Sequence, residues 1–117
     1  MKRTFGQTLR ELRQKAGITQ RELASRIGMD YSYISKIEND RLPSPAADTI
    51  VTISRALNES PEQLLALTGK IPTEVEEAIA NNQSAQEFLR EIQVMNLTDA
   101  EWKEIRTALS RLREVDK

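Results

Sequence analysis

Tyr31, Ser32, Tyr33, Ser35 and Lys36 lie close together in the stretch MDYSYISKIEND. Placed at about 100° per residue, Ile34 and Ile37 fall together with Tyr33 beside them. Ser32, Ser35 and Lys36 fall on the opposite side, with Tyr31 at its edge. Serine hydroxyls donate or accept at base edges, and a lysine reaches guanine O6 and N7. The chemistry open to this face is therefore recognition in the major groove of DNA, with plain solvation as the bland alternative for each residue singly. Other chemistries are closed by composition. The 117 residues contain no His and no Cys, so a Ser-His relay, a thiol nucleophile and a typical zinc site are out of reach. There is no glycine loop to cradle a phosphate. The carboxylates of Glu74, Glu76 and Glu77, and of Asp99, Glu101 and Glu104, fall mostly in first helical turns. They suit the helix dipole there better than paired acid–base work. No catalytic residue, metal or cofactor is expected, and the chain is not expected to be an enzyme.

That face needs a short helix, about Tyr31 to Glu38, and neighbours to hold it. Phe5, Leu9, Leu12 and Ala16 step at helical spacing before Gly17. Thr19-x-x-Glu22 is a capping box opening a second helix, with Leu23, Ala24 and Ile27 inside. Gly28 suits a left-handed turn, and small Ala24 permits close approach of the second helix to the third. Gln20 sits where free N–H groups and the helix dipole favour a phosphate. The arrangement is a helix-turn-helix by mechanism. Ser44 as cap and Pro45 at the first helical position predict a fourth helix with Ile50, Ile53 and Leu57 inside. Ser60 predicts a fifth, with Leu64 and Leu67 inside and Gly69 after it. Thr73…Glu76, Ser84…Glu87 and Thr98…Glu101 repeat the box spacing, and no useful alternating strand pattern appears. The expected fold is all-α: a five-helix helix-turn-helix domain over residues 1–69, then a helical extension of about three helices over 70–117. The boundary is placed at Lys70-Ile71-Pro72.

Net charge is −1, but it is unevenly spread. Residues 1–42 carry nine Lys or Arg against five Asp or Glu, and residues 71–117 carry six against ten. This fits a basic contact module joined to an acidic partner module. Lys2, Arg3 and Arg10 are assigned to a solvated face ahead of a DNA arm. No apolar run approaches the roughly 18 residues of a membrane span. The basic start Met1 to Phe5 is followed by no apolar stretch of a secretory signal. A cytoplasmic protein without membrane partners is expected.

Residues 5–68 resemble the Xre, or lambda-repressor-like, class of helix-turn-helix regulators. The residues that carry this are Leu9, Arg13, Gly17, Ile18-Thr19-Gln20, Glu22-Leu23-Ala24, Gly28, Tyr33-Ile34-Ser35, Ile37-Glu38-Asn39, Pro45, Thr49-Ile50 and Ala56-Leu57. The resemblance implies a five-helix domain that binds operator half-sites on double-stranded DNA as a dimer. It implies base contacts from Tyr31, Ser32, Ser35 and Lys36, and backbone contacts from Gln20, Tyr33, Asn39 and Arg41. It also implies an ion pair, Arg13 with Glu38, tying the third helix to the first. Asp40 departs from the family, standing where small residues or glycine are common.

In the tail, Phe88, Leu89, Ile92 and Met95 form one apolar stripe, and Trp102, Ile105, Leu109 and Leu112 another. The stripes either pack within the chain or, with Phe88, Ile92, Trp102, Ile105, Leu109 and Leu112 at the contact, join a homodimer. The tail also resembles that of regulators encoded beside zinc metallopeptidases, at Gly69-Lys70-Ile71-Pro72, Phe88-Leu89, Asn96-Leu97-Thr98 and Trp102. This implies a metallopeptidase partner that cuts the regulator and relieves repression, with Asn81 to Ser84 as a candidate cut. The expected function is a sequence-specific transcriptional repressor of a phage, plasmid or defence locus, bound to a palindromic operator as a homodimer. The alternative is an antitoxin-like interaction module whose tail covers a toxin partner.

Overall fold

The hydroxyl of Thr4 accepts the Gln7 N–H at 3.1 Å, and the Gln7 side chain accepts the Thr4 N–H at 3.0 Å. This capping box opens α1 (Phe5–Lys15). The structure is a computed structural model describing residues 3–114; Lys2 lies outside them. Thr19 and Glu22 form the expected box at α2 (Gln20–Ile27), and Gly28 ends that helix at φ 71°. α3 (Tyr31–Glu38) follows after Met29 and Asp30. α4 (Ala47–Ala56) and α5 (Glu62–Thr68) complete the set around one core.

Leu9 and Leu12 of α1, Leu23 and Ala24 of α2, Ile34 and Ile37 of α3, Ile50 and Ile53 of α4, and Leu64 of α5 are all buried. Full burial of such an aliphatic side chain is worth roughly 1.5–3 kcal/mol. α3 packs on both α1 and α2, and α4 packs on α2 and α5. α3 is therefore clamped from two sides. Leu67, expected inside, is 47% exposed. Leu65 packs on the core in its place, because α5 is under two turns long and turns only one narrow face inward.

Several expected caps belong to other residues. α4 starts at Ala47, with Ala46 in the cap position and no side-chain cap bond. Ser44 and Pro45 instead accept the Lys70 ammonium: Nζ lies 2.9 Å from the Ser44 carbonyl, 3.3 Å from its hydroxyl and 2.7 Å from the Pro45 carbonyl. Pro61, not Ser60, stands at the start of α5. Thr73 is the first residue of α6 (Thr73–Ala80). Its N–H and hydroxyl donate to the Asp48 carboxylate at 3.0 and 2.8 Å. The Thr73 backbone N–H, then its hydroxyl, hold the Asp48 carboxyl below the usual carboxylate range.

These two clasps explain where the first compact unit ends. It runs to Glu77, inside α6, and the second begins at Ala78. Lys70 and Thr73 carry the first unit past the 69/70 boundary that the sequence suggested.

In the second unit, α7 (Gln83–Met95) is capped by Asn82, whose side chain accepts the Ala85 N–H at 2.9 Å; Ser84 lies within the helix. α7 ends at Asn96 in the left-handed conformation. Thr98 and Glu101 then form the expected box for α8 (Asp99–Glu114). Neither α7 nor α8 has a buried residue, and Leu89, Ile92 and Ile105 are half-buried. Among the described residues no helix is long and apolar enough to cross a membrane.

Candidate nucleic-acid interface

α3 presents the face the sequence assigned to it. Ile34 and Ile37 are buried, Tyr33 packs partly against the core, and Tyr31, Ser32 and Lys36 are exposed. Ser35 is half-buried. The turn between Gly28 and α3 brings the helices together, and Ala24, 2% exposed, leaves room for that approach.

What fixes the angle of α3 is a buried carboxylate at its end. Glu38 has a fully shielded side chain. Arg13 Nε donates to its Oε2 at 2.6 Å and Arg13 Nη2 to its Oε1 at 2.9 Å. The third Arg13 nitrogen, Nη1, donates to the Ile18 carbonyl at 2.9 Å. Gln20 Nε2 adds a donor to Oε1 at 3.0 Å, and Arg10 Nε lies 3.5 Å from the same oxygen. Burial, the largest single influence, pushes the Glu38 carboxyl up. The hydrogen bonds from Arg13, Gln20 and Arg10 and the Arg13 charge together outweigh it and leave it below the usual range. The Glu38 hydrogen bond in turn holds the Arg13 guanidinium above its ordinary value. The fork geometry is bidentate, the strong form of the pair, and it braces α3 against α1.

Two residues given backbone contacts by the resemblance have inward duties as well. Gln20 spends one amide proton on Glu38. Asn39 accepts from Arg10 Nη2 at 2.7 Å and donates Nδ2 to the Ser35 carbonyl at 2.8 Å. Each keeps one amide proton for an outside acceptor. Arg10, assigned to a solvated face, is thus part of the brace. Its signal in the sequence was only that it stands three residues before Arg13, one helical turn along the same face.

Asp40 also has a structural role. It adopts φ 57°, a left-handed conformation Asp tolerates. Its Oδ2 accepts the Thr4 hydroxyl at 2.7 Å and its Oδ1 the Gly6 N–H at 3.2 Å. The carboxylate thus meets free donors and the positive end of the α1 dipole. A Cβ on Gly6 would run into the Ile37 and Glu38 carbonyls and the Asp40 carboxylate, so that approach requires glycine. Lys36 and Arg41 are exposed and have no carboxylate partner among the described residues. Their charge remains available on this side. Tyr31 carries the Arg21 guanidinium over its ring at 4.6 Å.

The helix-turn-helix family matches residues 9–64, the span from α1 into α5. The chain is 40% identical over 87 residues to the HTH-type transcriptional regulator RghRB of Bacillus subtilis; the match covers 72% of this chain and 63% of that protein's length. It is 31% identical over 104 residues to the HTH-type transcriptional regulator ImmR of the same organism, covering 86% of this chain and 80% of that one. Among solved structures, SinR, the master regulator for biofilm formation, in complex with DNA, matches 53% of this chain and 98% of its own at 31% identity and a TM-score of 0.50. With the braced α3 and the turn at Gly28, these likenesses place the chain in the helix-turn-helix family of transcriptional regulators, the Xre or lambda-repressor-like class.

Proposed function

We propose that the protein is a cytoplasmic, sequence-specific DNA-binding repressor that occupies a palindromic operator as a homodimer. The observation that carries this is α3: a helix locked by a buried ion pair yet turning Tyr31, Ser32 and Lys36 to the outside. A rigid helix with short polar side chains outward suits the major groove. Tyr31, Ser32, Ser35 and Lys36 meet base edges. Gln20, Tyr33, Asn39 and Arg41 meet the phosphate backbone. Affinity comes largely from phosphates and falls steeply with salt. Two such helices must sit about 34–36 Å apart to read a symmetric site. The stripes of α7 and α8, with Phe88, Trp102, Leu109 and Leu112 exposed, are the surface we assign to joining the copies.

Selection of bound duplexes from a randomised library, followed by footprinting, tests this. Inverted half-sites centred one helical turn apart are expected. Enrichment of no sequence would overturn the proposal, and a lone asymmetric site would overturn the dimer.

The same tail supports a second reading, because α7 and α8 bury none of their residues. A protein partner, a toxin or a zinc metallopeptidase, would cover those stripes or cut the exposed Asn81–Asn82 link and relieve repression. Fragment masses after incubation with such a peptidase test it, and an intact chain counts against it.

A further inference from the structure

The arginines around the site differ in how they are held. Arg10 and Arg13 are bound to Asn39 and Glu38, and Arg26 to the Ala56 carbonyl. Arg21 has no carboxylate partner among the described residues. Its guanidinium lies over the Tyr31 ring, 4.6 Å from the centroid. Tyr31 opens α3 and is 43% exposed. Both side chains line an open cleft with Gly17, Thr19 and Gln20 at the start of α2.

We propose that Arg21 is a positioning residue that determines specificity: stacked on Tyr31, it sets which base the tyrosine hydroxyl meets. This rests on the DNA-reading function proposed above. A half-exposed ring at the first turn of a helix has more than one staggered rotamer open to it. A planar guanidinium covers one ring face and favours the rotamer that keeps it covered. It also needs no carboxylate, so the pair adds positive charge at the groove edge. A lysine keeps the charge but lacks the planar surface.

The test is duplex selection with the full chain and its Arg21→Ala, Arg21→Lys and Tyr31→Phe variants, each with a salt titration and a thermal melt. Tyr31→Phe identifies the half-site position that the hydroxyl reads. Arg21→Ala is expected to weaken preference at that same position about two- to fivefold, the size of an exposed cation–π contact, and to leave the other positions alone. Arg21→Lys is expected to restore the salt dependence but not the preference. An unchanged selected sequence with a salt slope shallower by about one marks Arg21 as a phosphate contact only and overturns the inference. A change confined to positions that Tyr31→Phe leaves intact overturns it too. If the unaltered chain enriches no sequence, the DNA-reading proposal itself has failed.

Discussion

Glu38 is a charge placed where water cannot reach it, and it is tolerable only because both carboxylate oxygens are met by donors from α1 and α2. Removing it leaves Arg13 without its partner at a largely shielded position. Glu38→Ala is therefore expected to cost about 3–5 kcal/mol in denaturant melts. The Arg13 and Glu38 single and double variants should be strongly non-additive; additive losses below about 1 kcal/mol would mark an ordinary surface pair. The same group sets an acid limb. Its folded pKa lies below the unfolded carboxylate value, which is about 4.3. The unfolded chain thus binds the proton first as pH falls. The stabilisation is full at neutral pH, declines once pH drops below about 4.3, and is gone below the depressed folded value. Glu38→Gln should flatten that part of the stability–pH curve, and an unaltered curve would assign the acid limb to other carboxylates. Gly6 gives a second test at this scale. In an open helix, alanine is favoured over glycine by about 1 kcal/mol. Here its Cβ meets two backbone carbonyls that cannot swing away, so Gly6→Ala is expected to destabilise by about 1–3 kcal/mol. A stabilised variant would show that the contact between α1 and the loop after α3 yields.

Among the elements, the loop from Arg41 to Ala46 after α3 is held by a residue far along the chain. Lys70 donates to three oxygens of Ser44 and Pro45, and bonds to charged groups are worth about 1.5–3 kcal/mol. Partial exposure lowers this. Lys70→Met is expected to cost about 1–2 kcal/mol and to speed amide exchange in that loop, while the α1 amides keep their protection. Unchanged loop exchange would remove the clasp from the account. These long-range ties mark the limit of what the sequence disclosed. Helical spacing placed the core of α1 to α4 and Leu64 of α5, though not Leu65, and Thr19–Glu22 and Thr98–Glu101 were legible as boxes because both partners lie within one turn. The Thr73 and Ser44 hydroxyls looked like caps by the same rule, but Asp48 and Lys70, distant in sequence, engage them instead. The outward face of α3 followed from periodicity, and Arg13–Glu38 from family resemblance. Arg10, Arg21 and the Asp40–Gly6 contact depend on how α1, α2 and α3 converge, which no local spacing encodes.

At the scale of the whole molecule, the tail leaves large apolar side chains exposed. Phe88 is 42% exposed, Trp102 41%, Leu109 63% and Leu112 68%, and Trp102, Ile105, Leu109 and Leu112 recur at alternating steps of three and four along α8. That is the spacing of a seam between two helices. On the homodimer reading, each half-site binds weakly alone, and the second contact gains from being tethered to the first, typically by 10²–10⁴-fold. Leu109→Glu separates assembly from folding. A residue already exposed in a single copy loses no burial there when it becomes charged, so the melt of the first unit should not shift. In a dimer seam the same carboxylate is buried without a partner, so sedimentation should show a monomer and operator affinity should fall by about two orders of magnitude. Val94→Glu, at an 80% exposed position outside both stripes, should leave assembly and DNA binding as they were. If the Leu109 variant stays dimeric and binds its operator normally, α8 is not the joining surface, and the spacing of the two α3 helices must be set elsewhere in the chain.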